Sequence, residues 1–320
     1  MPNFRSWIPI PQPYPLKTFP QRLIRKWIGL ADNVMATIGL GFGFSGARVV
    51  GVLQNGNTLL QLNKNYALGP RGTKIELPQD LCIFESVRRR GIWELDESEF
   101  LARGIRKVGK LVNSNTALLD IGANTGLVTL QAMNLSKMNI EVFLFEPIPR
   151  HVSALEHNLR NLQKIHINEF ALSEKNGSAE IFTMTSNHGG TSLLESAVPS
   201  FGSIKTEIEL VDTAEYCDRF LINFDNYLVK CDTEGMDALI LSRIPNRIWQ
   251  KTEVAVIEVW ALPEIREEDV NKFLDMCQDF EYASWHPNSQ ERIGLNEISK
   301  YWLSKSGTMR NLFLSKTLAL

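Results

Sequence analysis

From Thr116 onward, short apolar runs alternate with segments whose apolar residues recur at helical spacing. Ala117–Ile121 reads as a strand and Gly126 to Lys137 as a helix. Ile140–Phe145 repeats the strand. Arg150–Leu162 repeats the helix, with Val152, Leu155, Leu159 and Leu162 at i, i+3, i+7 and i+10 on one face. His166–Ala171 is a third strand, and Asn176-Gly177 turns into Ala179–Met184, which extends the sheet or caps its edge. Further strands are predicted at Glu207–Val211, Tyr227–Cys231, Val254–Val259 and Leu312–Leu314. Helices are predicted at Ala214–Leu221, from Glu234 and at Glu267–Cys277. Strands separated by helices at this spacing call for right-handed crossovers. The expected fold class is α/β, with a doubly wound, mainly parallel sheet.

The chain before Thr116 follows another pattern. Pro2, Pro9, Pro11, Pro13, Pro15 and Pro20 make residues 1–20 an extended arm. Residues 49–62 read as two strands around Asn55-Gly56, a hairpin signal. A strand-like Leu81–Phe84 leads to a helix over Glu97–Lys110. The expected division is an N-terminal arm, hairpin and helix over 1–110, then a nucleoside-binding α/β domain over 111–320.

Composition narrows the function classes. With 44% apolar and 22% charged residues, the chain can bury a full core. A formal net charge of −2 provides no general grip on nucleic acid. The run Arg88–Arg90 is followed by Glu94, Asp96, Glu97 and Glu99, and reads as solvated surface. Cys82, Cys217, Cys231 and Cys277 form no CxxC pair, which points to free thiols and a cytoplasmic setting. Residues 33–47 are uncharged and follow Arg22, Arg25 and Lys26, but the run is short for a membrane span and rich in Gly. A peripheral helix or loop is expected there, with membrane contact by the N-terminal region left open.

The candidate chemistry starts at the turn after Ala117–Ile121, which faces the crevice of such a sheet. The turn reads Asp120-Ile-Gly-Ala-Asn-Thr-Gly126. Gly122 and Gly126 allow close backbone approach, and Asn124 tolerates the left-handed conformation. Glu146 lies twenty residues after Gly126, at the end of the second strand, where a carboxylate can accept both ribose hydroxyls of a nucleoside. The competing structural role is a charge at the next helix N-terminus. A dinucleotide fingerprint fails, because its glycine positions read Gly122, Asn124 and Leu127. Asp120 would repel a pyrophosphate but suits the ammonium of a methionine moiety, so the loop points to S-adenosylmethionine.

Asp120–Gly126, Phe145-Glu-Pro147 and Lys230-Cys-Asp-Thr-Glu-Gly235 together resemble the FkbM-type methyltransferases. Gly91-Ile-Trp-Glu94 and Thr191-Ser-Leu193 are similar too. The resemblance runs from about residue 90 to 260. It implies a Rossmann-like class I methyltransferase fold and O-methylation of sugars, polyketides or peptide natural products. It also implies cofactor contacts at Asp120, Gly122, Asn124, Thr125, Gly126, Glu146, Ala171 and Glu94. Cys231 and Thr233 depart from the usual apolar residues of the third motif, and residues 1–80 lie outside the resemblance.

A hydroxyl acceptor needs its proton removed. Asp232 and Glu234 follow the strand Tyr227–Cys231, and Glu258 lies near the end of the next strand, so three acids should meet in the crevice. Lys230 pairs with one of these acids in the expected arrangement. The same acids could hold Mg²⁺, though no metal is assigned. His188, in a Gly-rich loop over 185–203, is the fourth candidate for catalysis. Two other classes compete: a nucleoside-binding protein without turnover that acts through its N-terminal region, and an NAD-dependent oxidoreductase. A binder has no need of a base, and the failed Gly fingerprint weakens the oxidoreductase. Neither the acceptor nor the oligomeric state is legible.

Overall fold

The computed structural model describes residues 46–80, 82–110, 114–184, 191–192, 203–289 and 291–317. Three antiparallel strands come first: β1 (Ala47–Val52), β2 (Asn57–Leu62) and β3 (Lys74–Pro78). The turn after β1 is the one expected at Asn55-Gly56, with Gly56 at φ 79°. Two helices follow, α1 (Ile83–Arg90) and α2 (Leu95–Val108). Of the strand expected at Leu81–Phe84, Ile83 and Phe84 instead open a helix. The Asp80 carboxylate accepts hydrogen bonds from the backbone N–H groups of Cys82 and Phe84, and Gly91 ends α1 at φ 74°.

The central sheet has seven strands. In chain order they are β4 (Thr116–Ile121), β5 (Glu141–Phe145), β6 (Ile165–Asn168), β11 (Asn226–Cys231), β12 (Thr252–Trp260), β13 (Tyr282–Ser284) and β14 (Met309–Ser315). Across the sheet they run β13-β14-β12-β11-β4-β5-β6. All neighbouring pairs from β6 to β12 are parallel, and β14 is antiparallel to both its neighbours. This is the doubly wound, Rossmann-like order of class I methyltransferases. The order reverses between β4 and β11, so the ligand crevice lies beyond their carboxyl ends.

A second sheet, in the order β7-β10-β8-β9, joins β7 (Ala171–Ser173), β8 (Gly177–Met184), β9 (Thr191–Ser192) and β10 (Ser203–Asp212). The third strand expected over His166–Ala171 is thus divided. It ends at Asn168, and Ala171 opens β7 in the other sheet, parallel to β10.

Every residue of β4 is buried, as expected of a strand covered on both faces. Leu119, Val229 and Ile257 face one core under α5 (Thr213–Phe220), α6 (Asp237–Arg243), α8 (Glu267–Met276) and α9 (Leu295–Trp302). The short α7 (Asn246–Trp249) adds Trp249 to the same core. Leu118, Leu228 and Val256 face the other core, under α2, α3 (Leu127–Ser136) and α4 (Pro149–Leu159). Leu60, Leu62, Ile75 and Leu77 of the N-terminal strands belong to that second core. Residue 110 therefore marks no break in packing. Asn158 of α4 reinforces the join, its side chain pairing with both the N–H and the carbonyl of Glu76 in β3.

Candidate functional site

Between β4 and α3 the chain turns through three left-handed residues, Gly122 (φ 74°), Asn124 (φ 50°) and Gly126 (φ 73°). The N–H groups of Gly122 and Ala123 both donate to the Phe145 carbonyl, which pins the turn to the end of β5. On the other side, Asp232 N–H donates to the Ile121 carbonyl. A Cβ on Gly122 would stand 1.8 Å from the Asp232 carbonyl oxygen. The close approach that Gly122 permits is thus by its own chain. Gly126 is packed by Leu155 and Leu159 of α4, 3.2–3.3 Å from where its Cβ would be.

Glu146 closes β5 with a nearly buried carboxylate. One oxygen accepts from the Asn124 N–H (2.9 Å), the other from the Ile148 N–H (3.0 Å), with His151 Nδ1 3.3 Å from it. Glu146 therefore shapes the Gly loop and the entry to α4 together. A carboxylate has about four acceptor sites, so its ribose role remains compatible with these bonds. Beside it, Asn124 Oδ1 is a buried acceptor with no hydrogen-bond partner among the described residues. Thr125 is buried, its carbonyl bonded to Asn158. Ala171 packs against the cluster of Ile148, Ile181, Ile208 and Leu210.

Lys230 sits beneath the loop, nearly buried. Its ammonium donates to the Gly122 carbonyl (2.7 Å) and lies 3.3 Å from Asp232 and 3.4 Å from Asp120. Burial alone would favour the neutral amine, but Asp232, Asp120 and Glu94 outweigh it and hold the ammonium charged. Asp120 accepts a 2.6 Å hydrogen bond from Thr129 Oγ1 and is almost inaccessible, so its cationic partner is Lys230. That departs from the ligand ammonium expected there.

The acids gather as the strand ends predict. One carboxylate oxygen from each of Asp232, Glu234 and Glu258 lies within 4.8 Å of the others. Glu234 has φ 52° and precedes α6 by three residues, so the helix expected from Glu234 begins instead at Asp237. Trp260 Nε1 donates to Glu258 (2.6 Å), and Asn311, opposite Glu258 across β12 and β14, donates to Glu97. Glu94, at φ 38° before α2, adds a further carboxyl.

Burial, then the charge of Asp232, pushes Glu94, Glu234 and Glu258 well above the usual carboxylate range. Asp237, buried and near Asp232, is raised to about 6, although it accepts from the Thr233 and Gly235 N–H groups. Glu97 is raised too, mainly by burial. A hydrogen bond with Asp232 adds to the upward shift of Glu258. Asp237 and Glu97 are additions to the site. The register of Asn311 beside Glu258 is what draws Glu97 in, and no sequence pattern carries it. His188 lies outside the described residues.

Comparison with known proteins gives the following. No family model matches the chain. Methyltransferase sdnD of Sordaria araneosa is 24% identical over 214 residues, 56% of this chain and 81% of that protein. Among solved structures, a SAM-dependent methyltransferase from Agrobacterium tumefaciens aligns over 85% of this chain and 77% of its own, at 11% identity and a TM-score of 0.39. Aeropyrum pernix fibrillarin, in complex with natively bound S-adenosyl-L-methionine, aligns over 84% of this chain and 98% of its own, at 9% identity and a TM-score of 0.34. At those scores the superpositions add nothing to the strand order, which carries the fold by itself.

Proposed function

We propose that this chain is an S-adenosylmethionine-dependent methyltransferase acting on a hydroxyl of a saccharide or natural-product small molecule. The observation that carries the reading is the cluster of Asp232, Glu234 and Glu258, whose carboxylate oxygens lie within 4.8 Å of one another beside the Gly loop, at the point where the strand order reverses. The match to a methyltransferase over about half the chain and the FkbM-like motifs support it.

The residues present fit the cofactor. Asn124 offers a buried acceptor without a partner, and Glu146 stands at the carboxyl end of β5 with acceptor capacity left. The 122–126 loop, Thr125 and Glu146 would hold the nucleoside, with Ala171 and Glu94 at its flanks. When bound, S-adenosylmethionine supplies an electrophilic methyl group on a positively charged sulfur.

The remaining work belongs to the chain. Asp232, 3.3 Å from the Lys230 ammonium, accepts the proton of the acceptor hydroxyl as the hydroxyl oxygen takes the methyl group, and Glu258 and Glu234 line the same rim. A second reading has one observation in its favour: three carboxylate oxygens within 4.8 Å also match the donors of a hard divalent cation such as Mg²⁺. Four free thiols suit a reducing, cytoplasmic setting.

Calorimetry with S-adenosylmethionine and with NAD tests the cofactor: binding of NAD alone would move the chain to the oxidoreductases. Turnover is read as the gain of one methyl mass in extracts of the source organism, and no gain with any extract favours a binder without turnover. Asp232→Asn should lower that turnover by ~10²–10⁴ with cofactor affinity kept. Loss of activity with chelator and its return with Mg²⁺ would establish the metal reading.

A further inference from the structure

We propose that the N-terminal sheet docks the chain onto an anionic lipid bilayer through β1. The inference is independent of the catalytic reading. It starts from the placement of exposed apolar surface. Five large apolar side chains are exposed among the described residues, and three of them, Val49, Val50 and Val52, lie in β1. Val52 is 71% exposed. A strand that covers a core shows one face to water, but here consecutive residues Val49 and Val50 are both exposed. The cause is a register shift between Val49 and Gly51, a bulge that removes Val50 from the pairing with β2.

The bulge also argues about the occupant. β1 is an edge strand, and a bulged edge is a poor template for pairing with another strand, whether from a second copy or from a peptide. A fluid apolar surface makes no such demand on register.

Charge selects the kind of surface. Residues 33–75 contain no Asp or Glu at all, in a chain that has 36 of them, and they carry Arg48, Lys64, Arg71 and Lys74. The next acid, Glu76, is buried, its carboxylate bonded to Asn55 and Asn57. Residues 1–94 hold twelve Lys and Arg against five Asp and Glu, whereas 95–320 hold 22 against 31. The overall charge of −2 thus hides a positive excess in residues 1–94 and a negative one in residues 95–320. The basic last turn of α1 lies at the start of β1, where the Gly46 N–H donates to the Arg89 carbonyl (2.9 Å). Arg89 and Arg90 are exposed, Arg89 paired with Glu85 (2.7 Å) and Arg90 donating to Ser86 Oγ (2.6 Å).

Exposed valines flanked by cations match the interface of an anionic bilayer, where apolar side chains enter the headgroup boundary and Lys and Arg meet lipid phosphate and carboxylate groups. A nucleic acid would use the cations but leave the valines in water. No helix of the described residues is long and apolar enough to cross a membrane.

Co-sedimentation of the full chain with vesicles tests this directly. Vesicles of phosphatidylcholine with phosphatidylserine should carry the chain down, phosphatidylcholine alone much less, and added salt should release it. Val50→Asp with Val52→Asp changes only exposed side chains, and an unchanged melting temperature verifies the fold. That variant should lose about tenfold in partitioning to the anionic vesicles. Equal sedimentation of variant and wild type overturns the proposal, as does the absence of sedimentation. Binding of duplex or single-stranded nucleic acid that competes with the vesicles and ignores the valine changes also overturns it. So does a dimer of the full chain that the same changes dissolve.

Discussion

Glu146 and Glu258 stand at the carboxyl ends of two strands of one sheet, and their carboxyl groups meet opposite surroundings. Around Glu146 the neighbours are donors: two backbone N–H groups, with His151 alongside. Around Glu258 the neighbours are other acids, Asp232, Glu234 and Asp237, relieved by the Trp260 N–H. The first setting uses a charge to hold backbone in place. The second accumulates charge that the fold does not need and resists by holding protons. Residues held against stability mark sites selected for chemistry, and under the proposed function the β11–β12 rim is the reactive side and the β4–β5 turn the holding side.

Lys230 joins the two sides, and removing it is the most severe way to break the contrast. Lys230→Met leaves Asp120 buried without its cation and Asp232 without its counter-charge. Deleting one partner of a buried pair costs ~3–5 kcal/mol. Denaturant unfolding should show that loss, together with disorder at the Gly122 carbonyl that Lys230 holds. A loss below about 1 kcal/mol, the range of exposed pairs, would mean the ammonium is not the link.

The two sides also differed in how far the sequence exposed them. The β4–β5 turn was legible because its parts are local: an apolar strand, two glycines with a residue tolerant of left-handed backbone between them, and an acid one strand later. Asp232, Glu234 and Glu258 were legible as strand-end acids for the same reason, and Lys230 as their partner. Asp237 and Glu97 were not: Asp237 reads as an ordinary acid in a first helical turn, and Glu97 acts through a contact between elements. Asp237 turns back onto the N–H groups of Thr233 and Gly235, and Glu97 reaches the site through Asn311 of the last strand. The helix α1 was hidden because Leu81–Phe84 is apolar at every position, a run too short for its period to separate strand from helix. The departure of Ala171 into a second sheet depends on its pairing with β10, forty residues away in the chain.

The rim's resistance to charge has a pH signature. Asp237, raised from 3.8 to about 6, is protonated in the folded chain where the unfolded chain has already ionised. Its contribution is therefore present in full below about pH 4 and lost as pH rises through about 6, a fall of about 3 kcal/mol at ~1.4 kcal/mol per unit. Glu94, Glu97, Glu234 and Glu258 shift in the same direction and steepen the fall. Asp237→Asn should flatten it, gaining on the wild type at neutral pH relative to pH 4. Parallel stability curves for the two proteins would remove the charge burden from this side of the comparison.

On the holding side the effect should be smaller and of opposite sign. Glu146→Ala removes the acceptor of two backbone N–H groups, and hydrogen bonds to a charged group contribute ~1.5–3 kcal/mol. The variant should melt earlier and, since under the proposed function the loop it shapes contacts the nucleoside, lose about one to two decades of S-adenosylmethionine affinity at ~1.4 kcal/mol per decade. Earlier melting with unchanged affinity would confine Glu146 to the entry of α4.

The smallest change separates holding the loop from holding the ligand. Asn124 has φ 50°, which an Ala pays for and a Gly does not. Asn124→Gly keeps the N–H that donates to Glu146 and deletes only the side chain, whose Oδ1 has no hydrogen-bond partner among the described residues. Nothing in the fold should miss that acceptor, so stability should stay within about 0.5 kcal/mol of the wild type. Asn124→Ala should cost ~1–2 kcal/mol through the backbone alone. If the orphaned oxygen awaits a donor on the nucleoside, both variants should bind S-adenosylmethionine about fivefold more weakly, the loss of one neutral hydrogen bond at ~1 kcal/mol. Calorimetry beside thermal melts reads the two effects separately. A Gly variant that binds as tightly as the wild type would leave Asn124 as a backbone residue only, and the cofactor's contacts on this side would reduce to Glu146 and the loop's own backbone.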